Sequence, residues 1–389
     1  MSVVVPRGFV ASAVAAGIKP DGQLDLALVA TEDGRSVPTG AVFTSNLMAA
    51  APVQVCRAHL ASAGSMSAAV VLNSGCANAA TGAQGRRDAE RTCELSALGL
   101  GVSAENVLVC STGTIGTPLD VSSIEAALPQ LISGRGYSPE CAAAAAHAIL
   151  TTDTVPKQVV VEAEGFVVGA IAKGAAMLAP NMATMLAVLT TDASAPPPVL
   201  QSALAAAVGR SFNEMTVDGC TSTNDSVIVM ASGLGREVPV EALTEALASA
   251  CSDLAAQMVA DAEGGTKVVR VQVVGAADTE AARRGARRVA ESELVKSSWY
   301  GEDANWGRIV SELGSAGTPF DPDRVAVAYG DVTVCRDGVG VDYDEKALRS
   351  ILSAREIEIT CDLGIGTGSA TILSADLTPA YVEFNMGRS

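Results

Sequence analysis

Short runs of β-type residues alternate with Ala-rich helical runs along the whole chain, and no segment repeats at a fixed period of 20–50 residues. Strands are predicted at 26–30, 68–72, 107–110, 158–163, 185–189, 226–230, 267–274, 325–328 and 356–362. Helices are predicted at 86–98, 124–132, 141–149, 199–210, 240–261, 279–291 and 345–354. The run 240–261 is long, free of Gly and Pro, and closed by Glu263-Gly264-Gly265, a helix stop signal. This mixture gives an α/β fold, mixed and α+β-like, and excludes a solenoid. At 389 residues the chain has room for one large domain or two closely packed ones. Its one linker-like stretch, Ser194-Ala-Pro-Pro-Pro-Val199, reads as a loop entering the helix at 199–210.

Composition narrows the function. Hydrophobic residues make up 49% and mean hydropathy is +0.32, from Ala and Val spread evenly. No apolar run reaches the ~18 residues of a membrane span. Residues 142–150 form a short apolar run that ends at Thr151-Thr152-Asp153, which predicts a buried helix. The start, Met1-Ser-Val-Val-Val-Pro-Arg-Gly8, lacks a basic segment followed by an apolar one, so a cytoplasmic location is expected. The net charge of −17 argues against nucleic acid and anionic membrane as partners, because both select a basic face. Nine scattered Cys without a CxxC pair, and only two His, argue against a metal site and for reduced, buried, inert thiols. No Gly-rich phosphate loop suggests a nucleotide, and no cofactor is expected.

The scarcity of His bears directly on catalysis, because a nucleophile needs a base. His147 lies in an Ala-rich helix, where a packed imidazole is the expectation, and His59 lies in another helical run, Val55–Leu60. Neither has a neighbouring motif that nominates it. The oddest stretch is Ala172-Lys-Gly-Ala-Ala-Met-Leu-Ala-Pro-Asn-Met-Ala-Thr184-Met-Leu-Ala-Val-Leu-Thr-Thr-Asp192. A Lys-Gly step leads into apolar residues, Pro180 interrupts them, and Thr184 stands before a β-type run. A Thr at a strand start is usually structural. An N-terminal Thr, however, carries its own base, an α-amino group with a pKa of about 7.7–8.0. That chemistry requires the preceding peptide bond to be broken.

Lys173-Gly174, Met177-Leu178, Pro180 and Met182-Ala183-Thr184-Met185-Leu186 resemble the cleavage-site signature of the ornithine acetyltransferase (glutamate N-acetyltransferase) family. Similar blocks follow in family order from about residue 7 to the C-terminus. They are Gly17-Ile18-Lys19, Asp25–Leu28, Val71–Gly75, Ala77-Asn78 with Thr81-Gly82, Ser111-Thr112-Gly113 with Ile115-Gly116, and Thr151-Thr152-Asp153 with Pro156-Lys157. Further on come Asp218-Gly219, Thr221–Asp225, Asp261–Gly264, Thr266-Lys267, Leu294-Val295-Lys296, Asp303 and Asn305–Arg308.

The resemblance implies a self-cleaving N-terminal-nucleophile fold of the ornithine acetyltransferase and β-aminopeptidase type. The chain would cut itself between Ala183 and Thr184 into an α piece, 1–183, and a β piece, 184–389. Thr184 would then carry an acetyl group from N-acetylornithine to glutamate. Thr112 and Gly113 are implied as the oxyanion hole, and Thr151, Lys173, Thr184, Glu263 and Asn385 as the substrate contacts. Taken without the family, Ser111-Thr112-Gly113 reads as a turn after a strand, and Lys173 and Glu263 as surface charges. The expected partners are small amino-acid substrates, with acetyl-CoA as a possible acetyl donor, and the expected assembly is α2β2. The alternatives are a related transferase with another amine acceptor, and an amidase or aminopeptidase of the same fold.

Three positions depart from the family. The chain ends Asn385-Met-Gly-Arg-Ser389 in place of the usual tail. Ala176 replaces a common Gly, which predicts backbone strain of about 1 kcal/mol if that position has positive φ. Ala304 stands where Pro usually precedes Asn-Trp-Gly-Arg.

Overall fold

A computed structural model describes residues 2–178 and 185–386. Ala183 and Thr184 lie outside the described residues. The chain forms two compact units, the first drawn from 1–213 and 220–258, the second from 214–219 and 259–388. The expected pieces 1–183 and 184–389 are products of cleavage, and strands on both sides of the 183/184 bond belong to the first unit.

The strands of the first unit are β1 (Phe9–Val14), β2 (Leu26–Thr31), β3 (Val37–Phe43), β4 (Met66–Ser67), β5 (Ala69–Cys76), β6 (Val107–Thr114), β7 (Lys157–Ala163), β8 (Phe166–Lys173), β9 (Leu186–Thr191) and β10 (Ser226–Ala231). Its helices are α1 (Ala51–Ser62), α2 (Gly82–Leu100), α3 (Val121–Ser133), α4 (Pro139–Ala148), α5 (Pro197–Gly209) and α6 (Val240–Ala260), the last reaching the unit boundary. One sheet has the order β1-β2-β5-β6 and the other β4-β3-β10-β9-β8-β7. Helix α4 packs on β1 and β2 of the first sheet and reaches β8 of the second. Its small Ala142, Ala145 and Ala146 share one core with Val29, Leu72, Ile171, Val188 and Ile228. Ala is what allows so close an approach on both sides.

The second unit contributes β11 (Val268–Ala276), β12 (Ala326–Tyr329), β13 (Val332–Arg336), β14 (Val339–Gly340), β15 (Glu356–Asp362) and β16 (Gly368–Ala375), in the order β14-β13-β12-β15-β11-β16. It also carries α7 (Thr279–Glu291), α8 (Glu293–Tyr300), α9 (Trp306–Ser315), α10 (Glu345–Leu352) and α11 (Pro379–Asn385). Helix α7 starts where the Asp278 carboxylate accepts from the Ala281 amide at 2.7 Å, an N-cap bond. It lays its Ala-rich face over β11 and β16, around a core with Trp299 and Tyr329.

The mixed α/β class stands, and α7 and β15 match the predicted spans residue for residue. The Pro run at 196–198 leads into α5, with prolines at the first helical positions where an N–H is not needed. Several expectations change. His147 is exposed rather than packed, and His59 is half-buried with Nδ1 at 2.9 Å from the Val107 carbonyl. Cys220 is exposed and Cys141 half-buried, while the other seven thiols are buried. Ala176 is not among the residues with positive φ; the left-handed position is the next one, Met177, at φ 52°. Among the described residues, no helix is long and apolar enough to cross a membrane, and no group of three or more His, Cys, Asp or Glu could hold a metal ion.

Candidate active site

Strand β8 ends at Lys173 and β9 begins at Leu186, and those two residues are antiparallel partners. Both ends of the connection 174–185, which contains the Ala183–Thr184 bond, are therefore held side by side. On the far side of β9, β10 runs parallel to it, with Ser226 opposite Leu186. Lys173, Leu186 and Ser226 thus stand abreast on three adjacent strands.

Lys173 points into a polar cluster. It is 3% exposed, and its ammonium donates to the Thr151 hydroxyl at 2.7 Å and to the Thr112 hydroxyl at 3.4 Å. The structure thus brings Thr112, Thr151 and Lys173 together, and Lys173 is no surface charge. Its countercharge is Asp153, 3.7 Å away, which also pairs with the fully buried Lys157 at 2.6 Å. The Asp153 carboxylate accepts the Gly174 amide at 2.6 Å and the Thr151 amide at 3.2 Å. One carboxylate therefore anchors both the Thr151 loop and the first residue of the connection. Burial works against its charge, but the Lys173 and Lys157 ammoniums and the Gly174 amide outweigh it and hold its pKa down to about 2.

Thr112 and Gly113 lie within strand β6, which runs on to Thr114, so the predicted turn after residue 110 does not form. Strand β5 fixes their placement: Ser74 opposes Thr112 and Gly75 opposes Gly113, where the register shifts at a bulge. Only glycine fits position 113. Its φ is 128°, and a Cβ would lie 2.4 Å from the Gly75 carbonyl carbon. Beneath this bulge the Asn224 amide donates to the carbonyls of Ala77 at 2.6 Å and Ser111 at 2.8 Å. Asn73 accepts the Ser111 hydroxyl at 2.6 Å. Lys19, half-buried, donates to the Leu150 carbonyl at 2.6 Å, next to Thr151. Burial, reinforced by nearby Lys173, lowers its pKa against the pull of Asp25 and Asp153.

The second unit holds the remaining two expected residues together. Glu263 is 7% exposed, again no surface charge, and its carboxylate accepts the Asn385 side-chain amide at 2.8 Å. Helix α11 carries Asn385 and docks on Gly264, whose carbonyl accepts the Thr378 hydroxyl at 2.7 Å. Gly264 has φ +66°, and a Cβ there would lie 2.5 Å from the Tyr381 amide nitrogen.

Asp153, Lys19 and Asn224 lie within family-like blocks of the sequence, but nothing in those blocks points to their roles. Their only sequence signal is a polar residue at the edge of an apolar strand or helix, which is common to most loops.

The ArgJ family model matches residues 10–387. The arginine biosynthesis bifunctional protein ArgJ of Thermobifida fusca is 45% identical over 395 residues, covering all of both chains. Its namesake from Thermus thermophilus is 45% identical over 385 residues, covering 99% of each. A crystal structure of ornithine acetyltransferase from Mycobacterium tuberculosis, complexed with ornithine, is 40% identical and covers 48% of this chain and 96% of its own, with a TM-score of 0.44. On the family model and the full-length identity to the two ArgJ proteins, the chain belongs to the ArgJ family and is an acyltransferase of arginine biosynthesis.

Proposed function

We propose that the chain cleaves itself between Ala183 and Thr184 and then moves an acetyl group from N-acetylornithine to glutamate through an acetyl-Thr184 ester. The observation that carries this is the cluster of Thr112, Thr151 and Asp153 around the Lys173 ammonium, at the end of the strand whose partner begins just past Thr184.

In processing, Thr184 Oγ attacks the Ala183 carbonyl, the peptide C–N bond breaks, and water hydrolyses the resulting ester. This leaves an Ala183 carboxylate and a free Thr184 amine. The two pieces stay joined by strand pairing, because β8 and β3 precede the bond while their partners β9 and β10 follow it. In turnover the Thr184 amine takes the Oγ proton as Oγ attacks the acetyl carbonyl, and ornithine departs with that proton. Glutamate's amine then attacks the ester and regenerates Thr184. The tetrahedral oxyanions are bound by the Thr112 hydroxyl and the Gly113 N–H. Lys173 donates to the Thr112 oxygen, which leaves the Thr112 hydrogen free to point elsewhere and makes it a stronger donor.

By the resemblance, Thr151, Lys173, Glu263 and Asn385 are substrate contacts, with Lys173 suited to a carboxylate and Glu263 to a cationic amine. The chemistry calls for no cofactor. Acetyl-CoA is a second candidate donor, and a cytoplasmic α2β2 assembly follows from the resemblance.

A denaturing gel with acetyl-transfer assays tests the reading. The matured protein should run as pieces 1–183 and 184–389, and Thr184→Ala should remain whole and inactive. Acetyl transfer to glutamate from N-acetylornithine, compared with transfer from acetyl-CoA, identifies the donor. Acetate release without transfer would replace the transferase reading by an amidase.

A further inference from the structure

Asp225 precedes β10 and is fully buried. One of its oxygens accepts the Met185 backbone amide at 2.9 Å, and the other has no partner at hydrogen-bond distance among the described residues. The next residue, Ser226, donates its own amide to the Met185 carbonyl at 3.1 Å. Residue 185 is thus gripped on its N–H by a side chain and on its C=O by the backbone of the neighbouring strand. The Met185 nitrogen belongs to the peptide that joins residues 184 and 185. Because peptide groups are planar, orienting that N–H orients the plane of its whole peptide group.

An ordinary strand start needs no buried carboxyl to do this. A backbone carbonyl would satisfy the Met185 amide without enclosing an ionisable group, whose charged form is costly away from water. Burial pushes the Asp225 carboxyl well above the usual carboxylate range, and the Met185 amide, Ser222 and Lys173 do not offset it. A neutral carboxyl keeps one acceptor oxygen for Met185 and one hydroxyl able to donate.

We propose that Asp225 is a positioning residue for the nucleophile, holding the 184–185 peptide through its bond to the Met185 amide. The proposal rests on the reading of Thr184 given above. It separates two buried neighbours in the sequence: Asn224 braces the Thr112 strand, while Asp225 braces the strand that follows Thr184.

The test compares Asp225→Ala and Asp225→Asn in the full chain. Asn preserves the acceptor and, if the carboxyl is neutral, the charge as well. Asp225→Asn should mature within about threefold of the wild-type rate. Asp225→Ala should mature at least tenfold more slowly, and its matured fraction should show lower kcat with KM for N-acetylornithine little changed, a split that loss of substrate binding would not give. If Asp225→Ala is insoluble, Asp225→Thr, whose hydroxyl is shorter, supplies the same readout. Maturation of the Ala or Thr variant at the wild-type rate with unchanged kcat overturns the proposal. So does an Asn variant that folds but matures as slowly as Ala, because charge rather than the accepted bond would then be the requirement. Thr184→Ala separates the two readings: if it stays whole while Asp225→Ala cuts normally, only the positioning role fails, and if it is cut, the nucleophile assignment itself fails.

Discussion

The Lys173 ammonium donates to the Thr151 hydroxyl at 2.7 Å, and the Asp153 carboxylate stands 3.7 Å from the same nitrogen. A single enclosed carboxylate thus sets the charge balance of the candidate site, since it also pairs with Lys157.

Replacing Asp153 by Asn should leave two buried ammoniums without their countercharge. Breaking buried pairs of this kind costs about 3–5 kcal/mol, so urea unfolding at pH 7 should shift by that order. The sign with pH follows from its depressed pKa. The folded carboxylate titrates at about 2, below its ordinary value of about 3.9, so its stabilisation is present above about pH 4 and lost as pH falls toward 2. The Asn variant should lose this part of the acid slope.

Thr112→Ala should lower kcat by about 10²–10³, the usual cost of one oxyanion donor, while unfolding free energy changes by only about 1 kcal/mol. Thr112→Ser keeps the hydroxyl and should recover most of the rate. A Thr112→Ala enzyme with unchanged kcat would remove this residue from the oxyanion site. Gly113→Ala should be worse on both measures, because its Cβ meets backbone atoms of Gly75 and Cys76 that have no room to yield.

Gly264→Ala should loosen helix α11. The substitution combines positive φ, worth about 1 kcal/mol, with a 2.5 Å approach to the Tyr381 nitrogen. Hydrogen exchange at 379–385 should accelerate, and KM should rise as Asn385 releases Glu263. An unchanged exchange rate would show that α11 is not held through this glycine.

Lys296 offers an alkaline counterpart. It is buried, donates to Ser374 Oγ at 3.1 Å and to the Ala375 carbonyl, and lies over the Trp299 ring at 5.8 Å. Burial lowers its pKa to about 8, against the pull of Asp218, Asp376 and Glu291. Between about pH 8 and its ordinary value near 10.4 the unfolded chain holds the proton that the folded chain has released. Stability should therefore rise with pH across that window, and Lys296→Met should flatten the rise.

Much of the architecture was legible locally. Helix α7 has a capping Asp, a Gly-tolerant Ala face and a charged outer face, so its span follows from periodicity alone. Strand β15 alternates buried and exposed residues, so its span too follows from the sequence pattern. Strand β8 is not legible locally, for the opposite reason. Phe-Val-Val-Gly-Ala-Ile-Ala-Lys is buried almost throughout and shows no alternation. It also contains Gly169, which a local reading takes as a breaker. That glycine is required because a Cβ there would lie 2.1 Å from the Ser2 carbonyl oxygen. The loss mattered, since β8 ends in Lys173.

What the sequence by itself determined was the mixed α/β class, the unlikelihood of His-based catalysis, the nomination of Thr184 and the family. These depend on short-range patterns and on motifs met in order. What only the tertiary structure decided was the state of the charges. Lys173 and Glu263 look like solvated residues in the text, and nothing local distinguishes Asp153 or Asp225 from loop acids. Their meaning comes from desolvation and from partners 20 to 122 residues away, as with Lys173–Asp153 and Asn385–Glu263. Burial makes an unpaired charge so costly that it must find a countercharge or hydrogen-bond partners or else be neutralised, and only the folded chain shows where those partners lie.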